Sequence, residues 1–168
     1  EGISRQVVRL KKESKPLLSH DGIDLSAMPN LMPPQMFEVA DIGAVGEEIF
    51  GPVLQVLRWG PGCAGLESPD AVVRAINSLG YGLTFGIQTR IDSRAQALAG
   101  AAHIGNVYVN RNMIGAVVGL QPFGGEGLSG TGPKAGGPHY LYRFCAEQTV
   151  TINTTAAGGN VALLASVP

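Results

Sequence analysis

The sequence predicts an α/β domain built on a parallel sheet. Three observations carry that expectation. Apolar, β-rich runs alternate with helical patterns in the order strand, helix, strand, helix, strand; the connections between them are short; and the helices carry their own start and stop signals. That order sets successive strands parallel, with each helix as a crossover. The chain has 168 residues, 45% of them hydrophobic, enough length and apolar material for one domain to bury a core.

The elements follow in chain order. The first 20 residues predict a helix with a basic end (Arg5, Arg9, Lys11, Lys12, Lys15) leading into Pro16-Leu17-Leu18, and a short charge run of this kind reads as a solvated helical face. Val53-Leu54-Gln55-Val56-Leu57 has the composition of a strand. Ser68-Pro69 opens a helix with an N-cap serine and proline at its first position; Val72, Ile76 and Leu79 share one face, and Gly80 ends it. Leu83 to Thr89 is the next strand. Ser93, with Gln96 three residues later, has the form of a capping box for an alanine-rich helix that stops at Gly105. Val107-Tyr108-Val109 is the third strand. Further on, Tyr140 to Ala146 reads as helix and Thr149-Val150-Thr151-Ile152 alternates as a strand. Residues 156–168 are small and apolar without polar alternation, either a docked tail or a cut surface.

Composition narrows the function. Twelve Lys and Arg against thirteen Asp and Glu give a net charge of −1, which is not the footprint of a protein that neutralises many phosphates, so nucleic acid is not an expected partner. No run approaches the roughly 20 apolar residues of a membrane-spanning helix, and the first residues lack a basic-then-apolar leader; the chain reads as cytoplasmic. Cys63 and Cys145 have neither paired spacing nor neighbouring histidines, and no metal site is expected.

Glycine is the unusual residue: 24 of them, many in the block GAVVGLQPFGGEGLSGTGPKAGG from Gly115 to Gly137. Gly125-Glu126-Gly127-Leu128-Ser129-Gly130 matches G-x-G-x-x-G, but that fingerprint works only where a helix starts at its last glycine. Thr131-Gly132-Pro133 and Gly136-Gly137-Pro138 cannot open a long helix, so the block reads as a long functional loop. There is no P-loop and no G-x-S-x-G elbow, and His20, His103 and His139 stand in unrelated contexts. Asn153-Thr154-Thr155 fits the N-glycosylation pattern, which a cytoplasmic chain would not present to the transferase. The remaining motif is Glu47-Glu48-Ile49-Phe50-Gly51-Pro52-Val53. A carboxylate can accept hydrogen bonds from both hydroxyls of a ribose, and an aromatic ring two residues on can lie against a flat heterocycle; equally, the run can be a plain turn before a strand.

Glu-Ile-Phe-Gly-Pro, followed by Gln121-Pro122-Phe123-Gly124-Gly125 with Ser129-Gly130, resembles the aldehyde dehydrogenase superfamily. Tyr81-Gly82-Leu83-Thr84, the run Gly105 to Asn112, and Gln121 through Arg143 are similar to the C-terminal part of the dehydrogenase module of bifunctional proline utilization A flavoproteins, over about residues 35–160. The resemblance implies a three-layer catalytic subdomain with a C-terminal oligomerisation strand: residues 1–146 as a partial catalytic domain, 147–155 as the strand, 156–168 as a tail or truncated end. It implies oxidation of L-glutamate γ-semialdehyde, the open form of pyrroline-5-carboxylate, to glutamate with NAD. FAD would belong only to a proline dehydrogenase half, if the parent has one. Glu48 would hold the nicotinamide ribose and Phe50 would pack by the nicotinamide. Gly115 and Ala116 would offer amides to the substrate carboxylate, Phe123 would line its aliphatic part, and Asn110 to Asn112 would support them. The family's cysteine nucleophile, oxyanion asparagine and glutamate base all precede the Glu-Ile-Phe-Gly-Pro motif and are not found, and neither Cys63 nor Cys145 has the nucleophile's context. The chain therefore reads as an inactive fragment whose partners are the rest of its polypeptide, the semialdehyde, and further copies through the C-terminal strand. The alternative is a non-enzymatic assembly module.

Overall fold

The computed structural model describes residues 2–19, 22–28, 30–115, 117–130 and 132–153. Helix α1 (Gly2–Glu13) turns Val7 and Leu10 into the interior, with Ile3 one turn earlier packed against the same cluster. Lys11 and Lys12 lie in its last turn, where cations oppose the negative helix end. Strands β1 (Lys15–Leu18), β2 (Gln35–Glu38) and β3 (Val53–Val56) form one sheet, β1 antiparallel to β2 and β2 parallel to β3 with Gln35 opposite Val53 and Glu38 opposite Val56. Pro16 is tolerated because β1 is an edge strand. Phe37 and Leu10, both 0% exposed, are the centre of this core, and Ile49, Val53 and Leu57 pack on it. Arg58 grips Glu38 with two hydrogen bonds, 2.6 and 3.2 Å, which hold that carboxyl below the usual carboxylate range.

A second core joins Val73, Ile87 and Leu98 with Phe85 and Val107. Its elements are α2 (Pro69–Ser78), β4 (Tyr81–Gly82), β5 (Thr84–Ile87), α3 (Asp92–Ala101) and β6 (Asn106–Val109). The Ser68 hydroxyl caps α2 by accepting from the Ala71 amide at 3.2 Å, and Gly80 leaves the helix at φ 76°, as the sequence predicts. Strands β5 and β6 pair parallel, with Thr84 opposite Asn106 and Ile87 opposite Val109, and α3 is their crossover. The short strand β7 (Glu126–Gly127) pairs antiparallel with β4.

The expected strand and helix order is therefore present, but the single parallel sheet is not. Parallel pairing is confined to β2–β3 and β5–β6 among the described residues. A hollow of about 570 Å³, lined by Gln55 on one side and Thr84 and Phe85 on the other, separates β3 from β5, and ladder bonds form only at about 4.8 Å spacing. Helix α3 starts at Asp92 after Ile91, which makes no side-chain cap, so Ser93 is not the N-cap. It ends at Ala101, well before Gly105, because the Asn77 carboxamide takes the Ala101 carbonyl at 2.9 Å and accepts from the His103 amide at 3.0 Å. Tyr140–Phe144 is a 3-10 helix that stops short of Ala146. The predicted strand at Thr149–Ile152 does not form: residues 147–153 are exposed and without regular structure, since a strand needs a neighbouring edge to bond to. Thr154 to Pro168, including the tail, lie outside the described residues. No helix among the described residues is long and apolar enough to cross a membrane.

Candidate cofactor and substrate site

The Glu47–Pro52 run is a loop that leads into β3 at Val53 and is bolted down at its middle. Ile49 is half-buried on the first core. The Gly51 amide bonds the Ile49 carbonyl and the Val53 amide bonds the Gly51 carbonyl, both at 2.8 Å, and the Gln35 amide takes the Pro52 carbonyl at 2.9 Å. The loop packs closely on α1 here: a Cβ on Gly51 would come 2.7 Å from the end of the Ile3 side chain, which would have to shift. With Ile49 held inward, its neighbours point out: Glu48 is exposed and Phe50 is 88% exposed. Glu48 borders both the hollow described above and a second one of about 500 Å³, shared with Arg5, Gln6, Arg9 and Phe50.

Arg9 corrects the expectation of a merely solvated helix face. Its Nη1 donates to the Ala44 carbonyl at 3.2 Å and its Nε to Gln6 Oε1 at 2.9 Å, which ties α1 to the residues just before Glu47. The charge run did not reveal this, because a long-range tie from a guanidinium to a backbone carbonyl has no spacing signature.

In the glycine block, Gly115 has φ 91°, a conformation that L side chains resist, and its carbonyl accepts from the Tyr108 hydroxyl at 3.0 Å. Ala116 lies outside the described residues. The Leu120 amide bonds the Val117 carbonyl at 3.1 Å, with Gly119 at φ 78° in the third turn position. Phe123 is 42% exposed; its amide and carbonyl pair with Ala135 at 3.0 and 2.8 Å. Asn106, buried at 8% exposure, donates to the Pro122 carbonyl at 3.0 Å and accepts from the Gly124 amide at 3.4 Å. The G-x-G-x-x-G match takes up a different structure from a dinucleotide turn. Glu126–Gly127 is strand β7, Ser129 turns back with its hydroxyl on the Gly82 amide at 3.2 Å, and among the described residues no helix starts at Gly130. Its glycines allow backbone to pack on backbone: a Cβ at Gly130 would strike the Gly125 carbonyl.

The candidate residues thus fall into two groups. Glu48 borders the first two hollows and Phe50 the second; Phe123 borders another of about 340 Å³ with Tyr140 and Arg143, and Ser129 contributes to the walls of the first hollow and of this one. Asn110 and Asn112 accept from backbone amides, Asn110 from Thr89 at 2.9 Å and Asn112 from Ile114 at 3.3 Å. Cys63 sits in the turn from Gly60 to Leu66, and the Cys145 Sγ lies 3.5 Å from the Leu141 carbonyl; neither lines a hollow with Glu48.

The model of the aldehyde dehydrogenase family matches residues 3–150. The chain belongs to this family. It is 55% identical over 115 residues to the bifunctional protein PutA of Escherichia coli, covering 68% of this chain and 8% of that protein. It is 37% identical over 143 residues to the 1-pyrroline-5-carboxylate dehydrogenase of Bacillus subtilis, covering 84% of this chain and 26% of that protein. Among solved structures, proline utilization A of Bradyrhizobium japonicum superimposes with a TM-score of 0.78 at 49% identity, over 92% of this chain and 15% of that one. A Thermus 1-pyrroline-5-carboxylate dehydrogenase, solved with bound NAD, superimposes with a TM-score of 0.71 at 34% identity, over 85% and 27%. The chain thus spans under a tenth of the PutA relative and about a quarter of the Bacillus dehydrogenase. The family fold is that of an aldehyde dehydrogenase with mixed α and β elements.

Proposed function

We propose that this chain is part of the catalytic domain of an NAD-dependent L-glutamate γ-semialdehyde dehydrogenase that works in proline catabolism in the cytoplasm. The observation that carries the reading is the Gly46–Pro52 loop, which anchors Ile49 and leaves a carboxylate and an aromatic ring exposed on its two sides. That donor set fits the nicotinamide half of NAD: Glu48 accepts hydrogen bonds from vicinal ribose hydroxyls, and Phe50 offers a flat apolar face to the nicotinamide. When bound, NAD supplies the hydride acceptor. Gly115 and Ala116 present amides to the α-carboxylate of the semialdehyde, and Phe123 packs along its methylene groups. By holding the far end of the substrate, these residues orient the aldehyde for attack by a thiolate that another part of the polypeptide provides.

The rest of that polypeptide is the first partner, and it includes a proline dehydrogenase half with its own FAD if the parent is bifunctional. The second is another copy of the chain, docked through residues 147–155; the exposed apolar side chains of Leu141, Tyr142, Phe144, Val150 and Ile152, at 68–74% exposure, support a cover over this end.

The chain alone should show no NAD-dependent oxidation of glutamate semialdehyde, whereas the complete polypeptide should turn it over. Turnover by the chain alone that vanishes on Cys63→Ser would overturn both the fragment reading and the exclusion of Cys63 as nucleophile. A complete polypeptide with no such activity would favour the assembly-module alternative.

A further inference from the structure

Asparagine is a poor strand residue, and a buried carboxamide is tolerated only when its hydrogen bonds are made. Strand β6 nevertheless buries Asn106 and, two residues on, Tyr108, at 8% and 5% exposure. The intervening Val107 packs into the second core, so period-two alternation puts both polar side chains on the opposite face, toward the glycine block. Each meets a different end of that loop. Tyr108 donates its hydroxyl to the Gly115 carbonyl at 3.0 Å, with the Arg111 guanidinium 5.0 Å over its ring. Asn106 takes the carbonyl before Phe123 and the amide after it, while Ala135 takes the amide and carbonyl of Phe123 itself. The backbone around Phe123 is therefore fixed on both sides. Lys134 closes the arrangement by donating to the Gly105 carbonyl at the start of β6.

We propose that Asn106 and Tyr108 are specificity-positioning residues: they hold the Gly115 amide and the Phe123 side chain in the one register that receives the amino-acid end of the substrate, without touching it themselves. This rests on the assignment of Gly115 and Phe123 to that end.

The test is made in the complete dehydrogenase, comparing glutamate semialdehyde with propanal, which shares the aldehyde and lacks the amino-acid end. Tyr108→Phe removes one hydroxyl and keeps the ring; Asn106→Asp keeps the shape and replaces the donor by an acceptor. Tyr108→Phe should lower kcat/KM for glutamate semialdehyde by about fivefold and Asn106→Asp by about tenfold or more, while propanal changes by less than about twofold. Melting temperatures are measured alongside, and should Asn106→Asp fail to fold, Tyr108→Phe decides alone. Equal losses for both substrates, or no loss, overturn the proposal. Gly115→Val separates the two layers of the claim: if it leaves the substrate ratio unchanged, the anchor assignment fails and takes the proposal with it. If it shifts the ratio and Tyr108→Phe does not, only the positioning role fails.

Discussion

Gly115→Val in the complete dehydrogenase should lower kcat/KM for glutamate semialdehyde by about 100-fold and leave a simple aldehyde within a few-fold of the native enzyme. The size follows from what is lost. A carboxylate held by backbone amides makes charge-assisted hydrogen bonds of about 1.5–3 kcal/mol each, so losing two of them at the lower figure removes about 3 kcal/mol of transition-state binding, on the order of 100-fold. The cause would be conformational. A Cβ at Gly115 meets no atom within 4 Å, so nothing crowds it, but φ 91° is closed to an L side chain. Gly115→Ala should therefore be nearly as damaging as Gly115→Val. A graded series in which alanine is harmless and only bulky residues hurt would point to simple crowding and remove φ as the cause.

Phe37→Ala should destabilise the chain by about 3–5 kcal/mol, read from urea unfolding followed by circular dichroism. Phe37 is 0% exposed at the centre of the first sheet and packs with Val7, Leu10 and Val39, so truncation leaves a cavity that helix and sheet must both collapse to fill. The same core seats Ile49, which links packing to the site: a looser core lets the Glu48–Phe50 loop move. A loss under about 1 kcal/mol would mean that this core is already incomplete in the chain and matures only against the rest of the polypeptide.

Local rules made the helices and strands legible. Ser68-Pro69 and Gly80 mark α2 because capping and positive φ are properties of single residues. The end of α3 was not legible, because it is set by Asn77, which lies far away in the chain and captures the Ala101 carbonyl. The gap between β3 and β5 was equally invisible, since alternating strand and helix patterns specify order without specifying that every pair of strands is in contact. At the candidate site, Glu48, Phe50 and Phe123 stood out as motif residues. Tyr108 reads in the sequence only as part of the strand Val107-Tyr108-Val109 and Asn106 only as part of the run Gly105 to Asn112; an asparagine at the head of an apolar run is the signal that could have singled out the latter. The G-x-G-x-x-G match was rightly set aside on sequence grounds: its glycines serve close backbone packing around β4 and β7.

In the proposed function, Glu48 supplies the carboxylate for the nicotinamide ribose. The direct measurement is the steady-state kinetics of Glu48→Gln in the complete dehydrogenase with NAD varied at saturating glutamate semialdehyde, with the melting temperature as control. Glu48 is exposed, so the fold should be unaffected. If the carboxylate holds the ribose, kcat/KM for NAD falls by about tenfold or more, as charge-assisted hydrogen bonds become neutral ones. Kinetics indistinguishable from the native enzyme would contradict the account and return Glu47-Glu48 to a solvated turn before a strand.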